Sequence, residues 1–105
     1  MKCLDNMPIA CSLTTAEFRD REAKLLAQFR SAVIETEELH EGYAFRLSGD
    51  GEWIGLIAEL MVAERKCCPL LAFEVIALPN QGPLIVRVTG PDGTKQFVSS
   101  VFMQL

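Results

Sequence analysis

Apolar residues recur at helical spacing in three parts of the chain, and each part predicts an amphipathic helix. The first predicted helix covers residues 15–31, and Thr14 with Glu17 forms the capping-box pattern at its start. The second follows Asp50, which is typical of a helix N-cap, and ends before Pro69, because proline disfavours helical angles in the preceding residue. The third follows the turn sequence at residues 90–93.

Alternating apolar and polar residues predict strands between these helices. Residues 9–13 form a short apolar segment that favours a strand, and residues 33–47 predict a hairpin that turns at Glu41-Gly42. A second hairpin is predicted from residues 73–77 and 84–89, which flank a turn rich in Pro and Gly. The order βαββαββα predicts a two-layer α+β fold, with helices on one face of a mainly antiparallel sheet.

Composition limits the domain organisation and the partners. The 105 residues fit one domain, residues 1–105, with residues 1–8 expected to be frayed, and the 50% apolar content favours folding over disorder. This apolar share is high for a small domain, so a hydrophobic patch closed by a second copy of the chain, and hence a homodimer, is expected. The net charge of −4 and the scattered Lys and Arg residues exclude the usual electrostatic pattern of nucleic-acid binding, and they argue against an anionic membrane as a partner for the same reason.

The N-terminal sequence and the cysteines indicate the compartment. The first eight residues include Asp5 and Pro8 where a signal peptide needs an apolar run, and no apolar stretch approaches the roughly 20 residues that cross a bilayer. We therefore expect a cytoplasmic protein. Because thiols in that compartment are normally reduced, the four cysteines are predicted to be thiols, metal ligands or redox groups rather than a disulfide framework.

The adjacent cysteines Cys67 and Cys68 are the best candidates for chemistry. They lie at the end of the second predicted helix, where the helix dipole disfavours a thiolate and the cations Arg65 and Lys66 favour one. Glu64 precedes them by three and four residues and therefore lies on the same helical face. Glu64 is a candidate proton acceptor or oxygen ligand.

Cys11 is the natural third thiol, because it lies just before a predicted helix N-terminus. Together with Glu64, Cys67 and Cys68 it forms the predicted metal-ligand set, and thiolates select soft, thiophilic ions. Zinc fits poorly, because adjacent cysteines rarely both reach one tetrahedral ion. A disulfide between the two neighbours would be strained and easily reduced, and would therefore act as a switch.

Two other interpretations of the sequence remain beside the hypothesis of a thiol or metal site. Buried cysteine behaves as a small hydrophobic residue, so the pair could simply pack in the core of a non-catalytic, homodimeric binding module. Residues 90–95 predict a turn into a helix, and a weak anion site at that helix N-terminus is the alternative interpretation. An enzyme has no positive support, because there is no Ser-His-Asp set and no pair of catalytic carboxylates, and the lone His40 lies beside the first hairpin turn. The small-molecule ligand stays unknown.

Four segments carry a resemblance to a known family: residues 9–21, 42–46, 64–73 and 89–97. With the motif E-x-x-C-C-P-x-L-x-F at residues 64–73 and the turn T-G-P-x-G-T-K at residues 89–95, the chain resembles a family of short uncharacterised bacterial proteins. The resemblance implies links to heavy-metal or thiol stress. The residues that match the family's motif positions are Cys11, Glu64, Cys67 and Cys68, whereas Cys3 and His40 match none. Leu70 stands where the family often has phenylalanine.

Overall fold

The computed structural model describes residues 16–103, which form three helices and four strands. The helices are α1 (Ala16–Ala32), α2 (Gly51–Cys67) and α3 (Thr94–Phe102). The strands are β1 (Val33–Leu39), β2 (Gly42–Leu47), β3 (Ala72–Ala77) and β4 (Leu84–Thr89). Their order confirms the predicted α+β fold, and the strand predicted at residues 9–13 and the capping residue Thr14 lie outside the described residues.

The four strands form one antiparallel sheet with the order β1-β2-β4-β3. The two predicted hairpins therefore lie side by side, joined by the central pairing of β2 with β4. In this pairing Gly42 is opposite Thr89 and Leu47 is opposite Leu84. Because Thr89 is also opposite Ala72 of β3, the start of β2, the end of β4 and the start of β3 meet at one end of the sheet.

One face of the sheet is covered by the helices. Alternate residues of a strand point to opposite faces, and β4 alternates accordingly between buried and partly exposed positions. Leu84, Val86 and Val88 belong to the same buried cluster as residues from all three helices. Ile85 and Arg87 lie on the opposite face, where no described helix covers them. The predicted two-layer arrangement is confirmed.

Aromatic side chains pack against one another at the centre of the core. Phe29 of α1 is fully buried, and its ring meets those of Phe45 and Phe102 edge to face at centroid distances of 5.2 Å and 5.7 Å. Edge-to-face contacts between aromatic rings add stabilisation beyond the apolar area that they bury. One side chain therefore connects α1 to both β2 and α3.

The start of α2 differs in one detail from the prediction. Asp50 occupies the N-cap position with an extended backbone, but its side chain does not cap the helix. Its Oδ2 atom instead accepts a hydrogen bond of 3.2 Å from Ser48 Oγ, and its backbone oxygen accepts from the Trp53 amide at 3.0 Å. A local side-chain hydrogen bond has replaced the expected cap.

Candidate thiol site

The last turn of α2 brings three of the predicted site residues into the core. Glu64 and Cys68 have no exposed surface, and Cys67 is 4% exposed. The reason is the position of the apolar stripe of α2: Ile57 and Leu60 are buried, and residues 64 and 67 continue the same face. The site residues are therefore buried by the same periodicity that packs the helix.

The helix ends between the two cysteines. Cys67 is the last helical residue, whereas Cys68 has φ −137° and ψ 81°. The Cys68 amide still donates to the backbone oxygen of Glu64 at 2.6 Å, and its own carbonyl accepts from the Leu71 amide at 3.2 Å. Pro69 has no amide hydrogen with which to continue the helix. These bonds fix the turn from α2 into β3.

The two neighbouring cysteines differ in oxidation state. Cys68 is engaged in a disulfide bond, whereas Cys67 carries a buried thiol. The bond therefore does not join the adjacent pair. The sequence predicted thiols, metal ligands or redox groups, and a disulfide at Cys68 is compatible with the last of these but not with a free thiol at this position. Cys3 and Cys11, the other two cysteines, lie outside the described residues.

The predicted metal-ligand set is only partly within the described region. Glu64, Cys67 and Cys68 lie within one helical turn and its end, but Cys11 lies outside the described residues. Across residues 16–103 no group of three or more His, Cys, Asp or Glu side chains is arranged to hold a metal ion. The set of four ligands stays a prediction.

The surroundings of the site carry positive charge on the surface. Arg65 and Lys66 occupy the last turn of α2 and are exposed, as the sequence predicts. Cations at this end of a helix interact favourably with its dipole. They stand next to the buried Cys67 in the chain.

Sequence reasoning missed a second buried carboxylate, Glu22. It is only 6% exposed, and its Oε2 atom has no hydrogen-bond partner within the described part of the chain. Glu22 lines a groove of about 390 Å³ between α1 and α2, together with Phe18 and Lys66. The signal was present in the sequence, because Glu22 lies between Phe18 and Leu25 on the apolar stripe of α1.

The groove also places the start of α1 beside the end of α2. Phe18 lies in the first turn of α1, and Lys66 lies in the last turn of α2, and both contribute to its walls. An exposed ion pair between Arg21 and Glu59 links the same two helices at 2.5 Å. The first turn of α1 therefore lies beside the last turn of α2, which carries Cys67.

His40 is not part of the thiol site. It is exposed in the turn between β1 and β2, where it lines a separate cavity with the loop that leads into α3. This position agrees with the prediction that His40 lies at the hairpin turn.

Comparison with known proteins adds no assignment. No protein-family model, curated protein or solved structure matches the chain. Among the described helices, none has the length and apolar character needed to cross a membrane.

Proposed function

We propose that the protein acts through thiol chemistry at the end of α2, with Cys68 alternating between a disulfide and a thiol. The observation that carries this proposal is the difference between two neighbours: Cys68 is oxidised to a disulfide while Cys67 keeps its thiol. A reducible bond next to a buried thiol and the carboxyl group of Glu64 provides the elements of a redox switch. The cytoplasmic location expected from the sequence is part of this proposal.

Cys11 is the proposed partner of Cys68. It precedes Ala16, the first residue of α1, by five positions, and an extended chain of five residues reaches at most about 17 Å. The start of α1 lies beside the end of α2, so this reach favours a bond to Cys11. Cys3 is eight residues further away along the chain and would need a longer, more ordered loop.

A dithiol reductant would supply the two electrons and two protons that reduce the bond. Because Cys68 is fully buried, a thiolate of the reductant attacks the other sulfur of the bond, and Cys68 leaves as a thiolate that takes up a proton. The second thiol of the reductant then attacks the mixed disulfide and releases the remaining cysteine as a thiol. Two electrons and two protons pass to the protein, and the reductant becomes a disulfide.

Reduction also frees the proposed ligands for a soft metal ion. Cys11, Cys67 and Cys68 would then supply three thiolates, and Glu64 would supply an oxygen or accept a thiol proton. Thiolates select thiophilic ions over hard ones. In this proposal the oxidised protein cannot hold the metal, because two of its sulfurs are occupied by the disulfide.

A disulfide map of the oxidised protein tests the proposed partner. Digestion without reductant and mass spectrometry are expected to yield a peptide pair that joins Cys68 to Cys11. The Cys3→Ser variant is the matched control and should keep this pair, whereas Cys11→Ser should lose it. A bond from Cys68 to Cys3, or no bond at Cys68 after treatment with oxidised glutathione, would contradict the proposal.

Metal binding by the reduced and oxidised protein tests the proposed metal site. Reduced protein is expected to bind one equivalent of Cd²⁺ at least about tenfold more tightly than the Cys67→Ser/Cys68→Ser variant, a difference of about 1.4 kcal/mol. The oxidised protein should bind as weakly as the variant. Equal binding by all three samples would remove the metal from the proposal and leave the redox step to be judged by the disulfide map.

A second candidate function is a homodimeric binding module, and the edge strand β3 favours it. Val75 and Ile76 are 40% and 44% exposed, and the strand contains neither Pro nor Lys. Its one charge, Glu74, is paired within the sheet with Arg87 at 2.9 Å. An exposed apolar edge without such protection is suited to pairing with another strand.

The occupant that fits this edge is a second copy of the chain. Two β3 strands that pair antiparallel about Val75 place Glu74 of one copy opposite Ile76 of the other, so no like charges meet. The opposite edge is protected, because β1 carries Glu35 and two further glutamates and an irregularity after Val33. Pairing through β3 is symmetric and therefore closes as a dimer.

Sedimentation velocity at low micromolar concentration tests the dimer. The wild-type chain is expected to sediment as a dimer and Val75→Lys as a monomer, because the lysine places a charge in the pairing edge. Ile34→Lys is the matched control, since Ile34 is 62% exposed on β1 at the other edge, and it should stay dimeric. A monomeric wild-type chain, or equal behaviour of the two variants, would refute this arrangement.

A further inference from the structure

A cavity of about 480 Å³ opens at the end of the sheet where β2, β4 and β3 meet. Its walls are His40 and Glu41 of the first hairpin turn and the loop and first turn of α3, residues 90–96. The amide of Gly90 donates to the backbone oxygen of Glu41 at 3.1 Å, which ties the two walls together. The cavity is thus formed by segments anchored on the central strands.

The start of α3 presents unsatisfied donors to this cavity. Gly93 is the N-cap residue, has φ 97°, and offers no side chain that could cap the helix. The Thr94 amide donates to the Pro91 oxygen at 3.1 Å. The next two amides, of Lys95 and Gln96, have no acceptor within an α-helix, and no side chain caps them.

A buried hydroxyl at the same place gives a second, independent indication of a ligand. Thr94 is 1% exposed, and its Oγ1 atom has no hydrogen-bond partner among residues 16–103. A Cβ atom added to Gly90 would come within 2.5 Å of this oxygen, so the hydroxyl is directed to the loop that walls the cavity. Buried polar groups in native proteins are nearly always hydrogen-bonded, so an unpaired one indicates a missing partner.

The charged groups around the cavity are of both signs, and those at the start of α3 favour a small ligand with an oxyanion group. Lys95 contributes an ammonium group, which also contacts Glu38, and the helix dipole adds partial positive charge at the amides. Glu41 and Asp92 are exposed at the rim and oppose an anion. The balance predicts weak binding that improves when a rim carboxylate is removed.

We propose that this cavity binds the phosphate or carboxylate group of a small molecule on the first-turn amides of α3. The unpaired Thr94 hydroxyl is the side-chain donor to the bound oxyanion, and Lys95 supplies the counter-charge. The residues that line this cavity include neither Cys67 nor Cys68.

Titration of the wild-type protein with inorganic phosphate, and separately with acetate, tests the proposal by amide NMR. Saturable shifts are expected at the amides of Lys95 and Gln96, and the tighter of the two ions identifies the chemistry of the group. Thr94→Val keeps the shape and removes the donor, and should weaken binding about tenfold or more. Ser100→Ala, at an exposed position further along α3, is the control and should bind as the wild type does.

The Asp92→Asn variant provides a second test, which applies even if Thr94→Val does not fold. Removal of this carboxylate beside the helix N-terminus should tighten binding about two- to fivefold. The proposal is overturned if neither ion produces saturable shifts at these amides. It is also overturned if Asp92→Asn binds no more tightly than the wild type, or if folded Thr94→Val binds equally well.

Discussion

Replacement of Phe29 by Ala is expected to lower the free energy of unfolding by about 3–5 kcal/mol. The fully buried ring contacts Phe45 and Phe102 edge to face, so its loss leaves a cavity between α1, β2 and α3 and removes two aromatic contacts. Because domains of this size are stable by only about 5–15 kcal/mol, such a loss is a large part of the total. Urea unfolding followed by circular dichroism measures it.

Ile54→Ala provides the control for this core substitution. Ile54 is 48% exposed on α2, so its truncation creates no cavity and should change the stability by less than about 0.5 kcal/mol. If Phe29→Ala and Ile54→Ala had similar effects, the ring would not be the centre of the core.

Gly42→Ala is expected to destabilise the protein by about 1–3 kcal/mol or more, despite adding only one methyl group. A Cβ atom at this position would lie 1.9 Å from the backbone oxygen of Val88 and 2.9 Å from the Cα atom of Thr89. These are backbone atoms of the neighbouring strand, so no rotation of a side chain can make room. Strands β2 and β4 would have to separate at the end of the sheet that carries the α3 loop.

Gly55→Ala makes the same chemical change where the structure has space. A Cβ atom at Gly55 meets nothing within 4 Å, and the residue lies inside α2. This variant should gain about 0.5–1 kcal/mol, because alanine loses less backbone entropy than glycine in a helix. Thermal or urea unfolding should show that Gly42→Ala lowers the free energy of unfolding and that Gly55→Ala raises it. If both variants changed the stability in the same direction, the close pairing of β2 with β4 at Gly42 would be contradicted.

Much of the fold could be predicted because local patterns agree with the tertiary packing. The period of Leu25 and Phe29 identified the buried face of α1, and the alternation around Arg87 identified the two faces of β4. Turn residues and Pro69 placed the element boundaries to within about one or two residues. The central pairing of β2 with β4 could not be predicted, since both strands pair with other strands as well and their local sequences do not encode which partners meet.

The candidate site was predicted only in part. The helical spacing predicted that Glu64 shares a face of α2 with the adjacent cysteines, and the structure shows that this face is buried at Glu64 and Cys67. The oxidation state of Cys68 was not predicted, because a disulfide depends on which sulfur atoms meet in the folded chain. Glu22 was missed for a related reason: its burial arises where α1 packs on α2, and a charged residue within an apolar stripe is usually exposed.

The amino-acid sequence by itself determined the elements, the apolar faces of the helices and strands, and the position of the adjacent cysteines at a helix end. These follow from the spacing of side chains and from backbone preferences, which act over a few residues. Only the tertiary structure decided the strand order, the burial of Glu22, and the meeting of the Gly90 loop with the first hairpin turn. Each of these depends on contacts between segments far apart in the chain, whose geometry arises only when the whole core packs at once.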